Sequence, residues 1–136
     1  MVAYVLDSSA ILRYIDNEPG SDRIWAILAS CVANRSKIYI SAIQWGEVAG
    51  KLRERLGPAS GTSVLTSFLP SEAEVVPATG QRAIRAATLR VDRSLAYADG
   101  FAMDLALDSA DRVLVTADYG FKAVGDLAKI EFLPTK

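Results

Sequence analysis

Val2-Ala3-Tyr4-Val5-Leu6-Asp7-Ser8-Ser9 decides the fold. Five apolar residues run straight into an acid and two hydroxyls. A continuous apolar run bounded by polar residues predicts a strand covered on both faces, as in the middle of a parallel sheet. Asp7 then stands where the strand stops. In open α/β sheets ligands bind outside the carboxyl ends of the strands, so an acid there is a candidate site residue. A plainer reading, a side-chain N-cap for a helix starting at Ser8, stays open.

Outward from this stretch, strands and helices alternate. Ser8 to Asp16 reads as helix, with Ile11, Leu12 and Ile15 on one face, and Asn17-Glu18-Pro19-Gly20 breaks it. Ser21 or Asp22 can cap a second helix through Ala33. Lys37 to Ser41 is a strand. A helix from Ala42 to Leu56 is stopped by Gly57-Pro58, and a weaker one covers Pro58 to Leu69. A short strand, Ala73 to Val76, precedes helices from Thr79 to Arg93 and from Ser94 to Leu107. Arg112 to Thr116 is a strongly apolar strand. Ala117 to Gly125 is a loop with a helical turn, and Ile130 to Leu133 is a last short strand. This order predicts an α/β fold of one domain over residues 1–136, with a mainly parallel sheet of about five short strands between helical layers.

Composition removes whole classes of chemistry. The chain has no histidine and a single cysteine, Cys31. Ser-His-Asp and Cys-His catalysis in their usual forms, and most zinc sites, are therefore excluded. Cys31 lies in an apolar helical pattern and reads as a buried structural thiol. No disulfide forms within one chain, and no apolar run is long enough to span a bilayer, so a cytoplasmic location is expected. The net charge is −1. Sinking several acids into one metal site would leave a mildly basic remainder, which suits a phosphodiester substrate.

Four of the sixteen acids have informative positions. Asp7 ends the first strand, and Asp118 lies two residues past the Arg112–Thr116 strand. Glu47 is in the first turns of the helix after the second strand. Helix starts that directly follow strands share an edge with the strand ends, so Asp7, Glu47 and Asp118 fall on one rim. Asp99 joins them if its helix begins at that edge. Plain dipole-complementing acids are the alternative for Glu47 and Asp99. Glu54 is seven residues past Glu47, about 10 Å along the helix, and Asp104 points about 140° away from Asp99. With Asp92, Asp108 and Asp111, these read as solvated charges.

At this point the chain resembles PIN-domain ribonucleases. The resemblance lies in Leu6-Asp7-Ser8-Ser9-Ala10, in Glu47 after Ser41-Ala42-Ile43, in Leu95-Ala96-Tyr97-Ala98-Asp99-Gly100-Phe101, and in Leu114-Val115-Thr116-Ala117-Asp118. Within that family it is most similar to the small VapC toxins of toxin–antitoxin pairs. The resemblance implies a three-layer α/β/α fold and metal-dependent RNA cleavage. It carries acids onto Asp7, Glu47, Asp99 and Asp118 and hydroxyls onto Ser9 and Thr116. Mg²⁺ or Mn²⁺ prefers carboxylate and water oxygens, which is the ligand type these four acids supply. Asp7 and Asp99 are expected as principal ligands, with Glu47 and Asp118 completing the shell, holding a second ion or orienting water. Ser9 and Thr116 suit fixing a carboxylate or water, or simply capping the next helix.

Arg82, Arg85, Arg90 and Arg93 share one helix face, and a basic stripe can track phosphates, although it is also what a solvated face looks like. Arg13, six residues after Asp7, is a further candidate RNA contact. The resemblance also implies two protein partners, a second copy of the chain and an antitoxin whose helix lies in an apolar groove. A housekeeping PIN nuclease is the nearest alternative. An aspartyl phosphatase would want an acid where Ser9 stands. A receiver-like module would want an Asp ending the third strand, which here ends Val75-Val76-Pro77.

Overall fold

A computed structural model describes residues 1–136. The elements run β1 (Ala3–Leu6), α1 (Ser8–Ile15), α2 (Ser21–Val32), β2 (Lys37–Ser41), α3 (Ala42–Phe68), β3 (Glu74–Val76), α4 (Gly80–Arg93), α5 (Tyr97–Ala106), β4 (Arg112–Thr116), a 3-10 turn (Tyr119–Val124) and β5 (Lys129–Phe132). All strand pairs are parallel, in the order β3-β2-β1-β4-β5. The predicted three-layer α/β/α fold is the one observed, with a sheet that is wholly rather than mainly parallel.

The opening stretch forms the central strand because its side chains alternate between two cores. Val5 packs with Leu114, Met103 and Phe121 on one face. Leu6 packs with Ile11, Ile24 and Ile38 on the other. Both are fully buried, and burying such a side chain contributes about 1.5–3 kcal/mol. From β1 the sheet grows through β2 to β3, with α1, α2 and α3 on one face. The chain then crosses back through α4 and α5, on the other face, to β4 and β5. Right-handed crossovers require this change of face when the sheet grows in the opposite direction. The strand order therefore reverses between β1 and β4, and a crevice opens at their carboxyl ends.

Two boundaries differ from the sequence expectation. The helix expected from Ser94 starts at Tyr97, because Ser94 adopts φ 57° and ends α4. Gly20, not Ser21 or Asp22, is the N-cap of α2, at φ 97°. A Cβ there would lie 3.0 Å from Leu133 Cβ, so a tertiary contact selects glycine.

The expected stop at Gly57-Pro58 divides α3 into two arms, 42–56 and 58–68. Gly57 has φ 83° and ψ 172°, a region that essentially only glycine occupies. The arms fold back on each other. A Cβ on Gly61 would lie 3.0 Å from the backbone of Leu52, and the Trp45 and Phe68 rings are 6.4 Å apart. We predict that Gly57→Ala lowers the free energy of unfolding in urea by about 1–3 kcal/mol. Gly50→Ala, at a helical position with nothing within 4 Å of the added Cβ, is expected to raise it by about 0.4–1 kcal/mol.

Candidate active site

Asp7 sits at the reversal point. Its N–H donates to the Val115 carbonyl at 3.1 Å, and its own carbonyl accepts from Ala10 and Ile11 at the start of α1. The side chain makes no capping bond. Instead Oδ2 accepts from Ser9 Oγ at 2.7 Å and from Thr116 Oγ1 at 2.9 Å. Each hydroxyl has one hydrogen, so both hydrogens are spent on Oδ2. The 3.1 Å approach of the two hydroxyl oxygens is then a packing contact. Their lone pairs accept from the N–H groups of Ala117 and Asp118, each at 2.9 Å. Two chains of backbone N–H, hydroxyl and carboxylate thus point the same way and polarise one another.

The other half of that carboxylate is different. Asp7 is 1% exposed, and Oδ1 is buried with no hydrogen-bond partner. A buried polar atom left in this state is costly. Asp104 is the other buried acid, 2% exposed, and it is paired with Arg82 and Arg85. Asp7 has no cationic side chain at all. Of the two buried acids, Asp7 therefore has the environment of a cation ligand and Asp104 does not.

The remaining three acids surround Asp7. Glu47, exposed on α3, accepts from Ser8 Oγ at 3.2 Å. Asp118 accepts from the Gly120 N–H at 2.8 Å, capping the 3-10 turn. Asp99 is the third residue of α5, and the late start of that helix puts it in the first turn. Burial pushes the Asp7 carboxyl above its usual range, the Ser9 and Thr116 hydroxyls and then the nearby Ser8 N–H oppose this, and the Asp118 charge adds to it. Partial loss of water raises Glu47, Ser8 opposes it, and the Asp7 charge adds to it. Asp99 is pushed up to about 7, first by desolvation and then by the charges of Asp7, Asp118 and Glu47.

All four acids are therefore near enough to repel one another. No three of them close into a cage that would grip a bare ion. Mg²⁺ keeps several of its waters and is held through one or two carboxylates, so an open, all-oxygen cluster with one orphaned buried carboxylate oxygen fits a hydrated divalent cation.

The basic candidates lie elsewhere. Arg13 is buried, and its Nη1 donates to the carbonyls of Pro19 at 2.7 Å and Pro134 at 2.6 Å. It ties the α1–α2 loop to the C-terminal segment rather than facing RNA. Arg82 donates to both Asp108 oxygens and to Asp104, and Arg85 to Asp104. Arg112, the first residue of β4, joins this group through Asp108. Two of the four arginines of the expected phosphate-tracking stripe, Arg82 and Arg85, are thus in an ion-pair network near the sheet edge opposite Asp7, Arg93 pairs separately with Asp126, and Arg90 is exposed. Asp104 is corrected with it, from solvated to buried. Helical phase gives its angular offset from Asp99 but not the packing of α4 on that face of α5.

Two polar residues escaped the sequence reading. Ser8 bridges α1 to Glu47. Gln44, fully buried, donates from Nε2 to the Ala98 carbonyl at 2.6 Å. Its one signal was an amide three residues before Glu47, within an otherwise apolar stretch.

The fold and the site define an α/β protein with an all-carboxylate centre at its topological switch point. Residues 4–127 match the PIN domain, and the chain belongs to that family. No curated protein sequence matches it significantly. Its fold is similar to a chain of VapBC2 from Rickettsia felis, in a structure bound to a DNA fragment from their promoter, with TM-score 0.77, 20% identity, and coverage of 98% of this chain and 100% of that one. It is also similar to VapC20 from Mycobacterium tuberculosis, described as a sarcin-ricin loop cleaving toxin, with TM-score 0.73, 17% identity, and coverage of 96% and 99%. FitAcB from Neisseria gonorrhoeae gives TM-score 0.67 at 20% identity over 94% and 96%.

The raised carboxyls make stability depend on pH in a defined direction. Between the ordinary value of 3.8 and about 7, Asp99 binds more proton folded than unfolded, and Asp7 and Glu47 are displaced in the same sense. Their contribution is therefore present at low pH and is lost as pH rises through the raised values. Asp108 and Asp126 are lowered by Arg82 and Arg93, so their opposing contribution develops below that window. In EDTA, the thermal midpoint is expected to carry a declining contribution from these acids between about pH 4 and 7. Asp7→Asn or added Mn²⁺ should flatten it. A wild-type profile that Mn²⁺ leaves unchanged would count against the site.

Proposed function

We propose that this protein is a Mg²⁺- or Mn²⁺-dependent endoribonuclease and the toxin of a VapBC-type toxin–antitoxin pair. The observation that carries the reading is the Asp7 carboxylate, satisfied by hydroxyls on one oxygen, bare and buried on the other, and ringed by Glu47, Asp99 and Asp118. PIN family membership and the VapC-containing fold neighbours support it.

Asp7 and Asp99 would hold the ion, directly or through water, and Glu47 and Asp118 would complete the shell or orient the attacking water. When bound, such an ion supplies charge neutralisation on the phosphate and acidifies water. The rest follows from the chain's own groups. Ser9 and Thr116 hold Asp7 through Oδ2, which leaves Oδ1 as the free acceptor of that carboxylate without reorganisation. The attacking water's oxygen bonds to phosphorus, one ester P–O bond breaks, the water's proton passes to a rim carboxylate, and the leaving ribose oxygen takes up a proton from solvent to depart as an alcohol. Glu47 and Asp118, which are not the principal ligands in this reading, suit that acceptor role. No helix is long and apolar enough to cross a membrane, and the reading includes a cytoplasmic site of action, where an RNA substrate would be met.

Asp7→Asn is expected to lower Mn²⁺-dependent RNA cleavage by at least about 100-fold. Its thermal midpoint in EDTA should hold or rise, since the substitution removes a buried, repelling charge. Cleavage at the wild-type rate would overturn the assignment.

Two protein partners belong to this reading. Of the apolar residues on the first three helices, Ile11, Ile24, Val48 and Leu52 are core, Leu12, Ile15, Leu28 and Trp45 are only partly buried, and Trp25 is exposed. Tyr14, Ile15, Val64 and Phe68 line a groove of about 420 Å³ between α1 and the second arm of α3, which suits an apolar antitoxin helix. Ile84 and Val91, 68% and 80% exposed on one face of α4, suit contact with a second copy. The free protein is expected to be a dimer by light scattering at micromolar concentration, and Val91→Lys a monomer. Val64→Glu should weaken the antitoxin by about 2 kcal/mol while leaving cleavage intact. A monomeric wild type would remove the dimer, and undiminished antitoxin affinity would remove the groove.

A further inference from the structure

Gln44 sits on α3 one turn before Glu47 and is fully buried. Its Nε2 donates to the carbonyl of Ala98, the residue before Asp99. Its Oε1 is also buried and has no partner. A methionine or leucine would fill the same space without burying an unpaired acceptor, so packing alone gives no reason for an amide here.

The far end of the bond supplies a reason. α5 begins at an N-cap, Ala96, that makes no side-chain capping bond, so its first turn lacks the usual local anchor. Asp99 lies in that turn. One residue later, Gly100 lets α5 press against α4, where an added Cβ would lie 3.0 Å from Ala86. The first turn of α5 is thus held by α4 on one side and by the Gln44 amide on the other. The same helix that presents Glu47 therefore sets the position of Asp99. A carbonyl has two lone pairs, so the Gln44 bond does not displace the helical bond to Ala98.

We propose that Gln44 is a positioning residue, whose buried amide fixes the first turn of α5 so that Asp99 and Glu47 are held in register across the crevice from Asp7. This rests on the nuclease reading for its chemistry, but the tether can be read without activity.

The test compares wild type with Gln44→Met, which keeps the bulk and removes the donor, in four measurements. The thermal midpoint in EDTA should be unchanged or higher, because the unpaired Oε1 goes as well. The Mn²⁺ dissociation constant by calorimetry should rise about 10–100-fold, the usual effect of losing a group that orients a ligand. The kcat for RNA cleavage should fall with little change in KM. Backbone amide exchange at Asp99 and Gly100 should accelerate, while exchange at Leu105 should not. Mn²⁺ affinity within twofold of wild type together with unchanged exchange at Asp99 would overturn the proposal. So would a uniform loss of stability and protection, which would make Gln44 a packing residue only. Where Gln44→Met does not fold, the wild-type Gln44 side-chain amide protons are followed by NMR. Slow exchange and a response to Mg²⁺ support the tether, and fast exchange with no response overturns it. Wild type that neither binds Mn²⁺ nor cleaves RNA, with the exchange at Asp99 still dependent on Gln44, would remove the nuclease reading and with it the catalytic purpose of the tether.

Discussion

The Asp7 carboxylate, held on Oδ2 by two hydroxyls and on Oδ1 by nothing, is the constraint on which the site depends. Ser9 brings the start of α1 to it, Thr116 the end of β4, and the N–H groups of Ala117 and Asp118 lock those hydroxyls in turn. Two chain stretches, 7–9 and 116–118, are thereby registered on one oxygen atom. The same hydrogen bonds favour the charged form of Asp7, while burial and the neighbouring Asp118 charge disfavour it. The balance leaves a raised carboxyl with one vacant acceptor, which is an environment that a cation relieves.

Elsewhere the protein handles buried acid in the opposite way. Asp104 is as inaccessible as Asp7, but two arginines from α4 meet it, and one of them reaches Asp108 as well. That network fastens α4 to α5 near the start of β4. Asp7, Glu47, Asp99 and Asp118 form no ion pair with any arginine or lysine within 4.0 Å. Repulsion is relieved where it would only destabilise and is retained at the crevice. This contrast, more than the number of acids, separates a site from a charged surface.

The positions of the acids follow from ordinary fold mechanics. Asp7 ends a strand whose alternating side chains feed two cores, and the reversal of strand order beside it opens the crevice. Glu47 and Asp99 arrive on helix starts and Asp118 on a turn after β4. The left-handed Ser94 moves the start of α5 to Tyr97, so Asp99 occupies the first turn rather than the second. Gln44 and Gly100 then decide where that turn sits.

The sequence by itself determined the central strand, the helix–strand alternation, the break at Gly57-Pro58 and the placing of Asp7, Glu47 and Asp118 on one rim, because each rests on local periodicity, local backbone preference or the polarity of parallel strands, whereas Asp99 joined them only through the observed start of α5. It also excluded histidine chemistry outright. Only the tertiary structure decided the fate of the arginines. Helical phase placed Arg82 and Arg85 correctly on a common face, but whether that face meets solvent or Asp104 depends on which helix packs against it, and no local signal carries that. Arg13 shows the same limit, since its carbonyl partners at Pro19 and Pro134 come from segments brought together only by the finished fold. The orphaned Oδ1 of Asp7 and the Gln44 bond to Ala98 are likewise tertiary facts. A sequence shows that a polar atom exists, and only packing from several elements decides whether it is left without water or a partner.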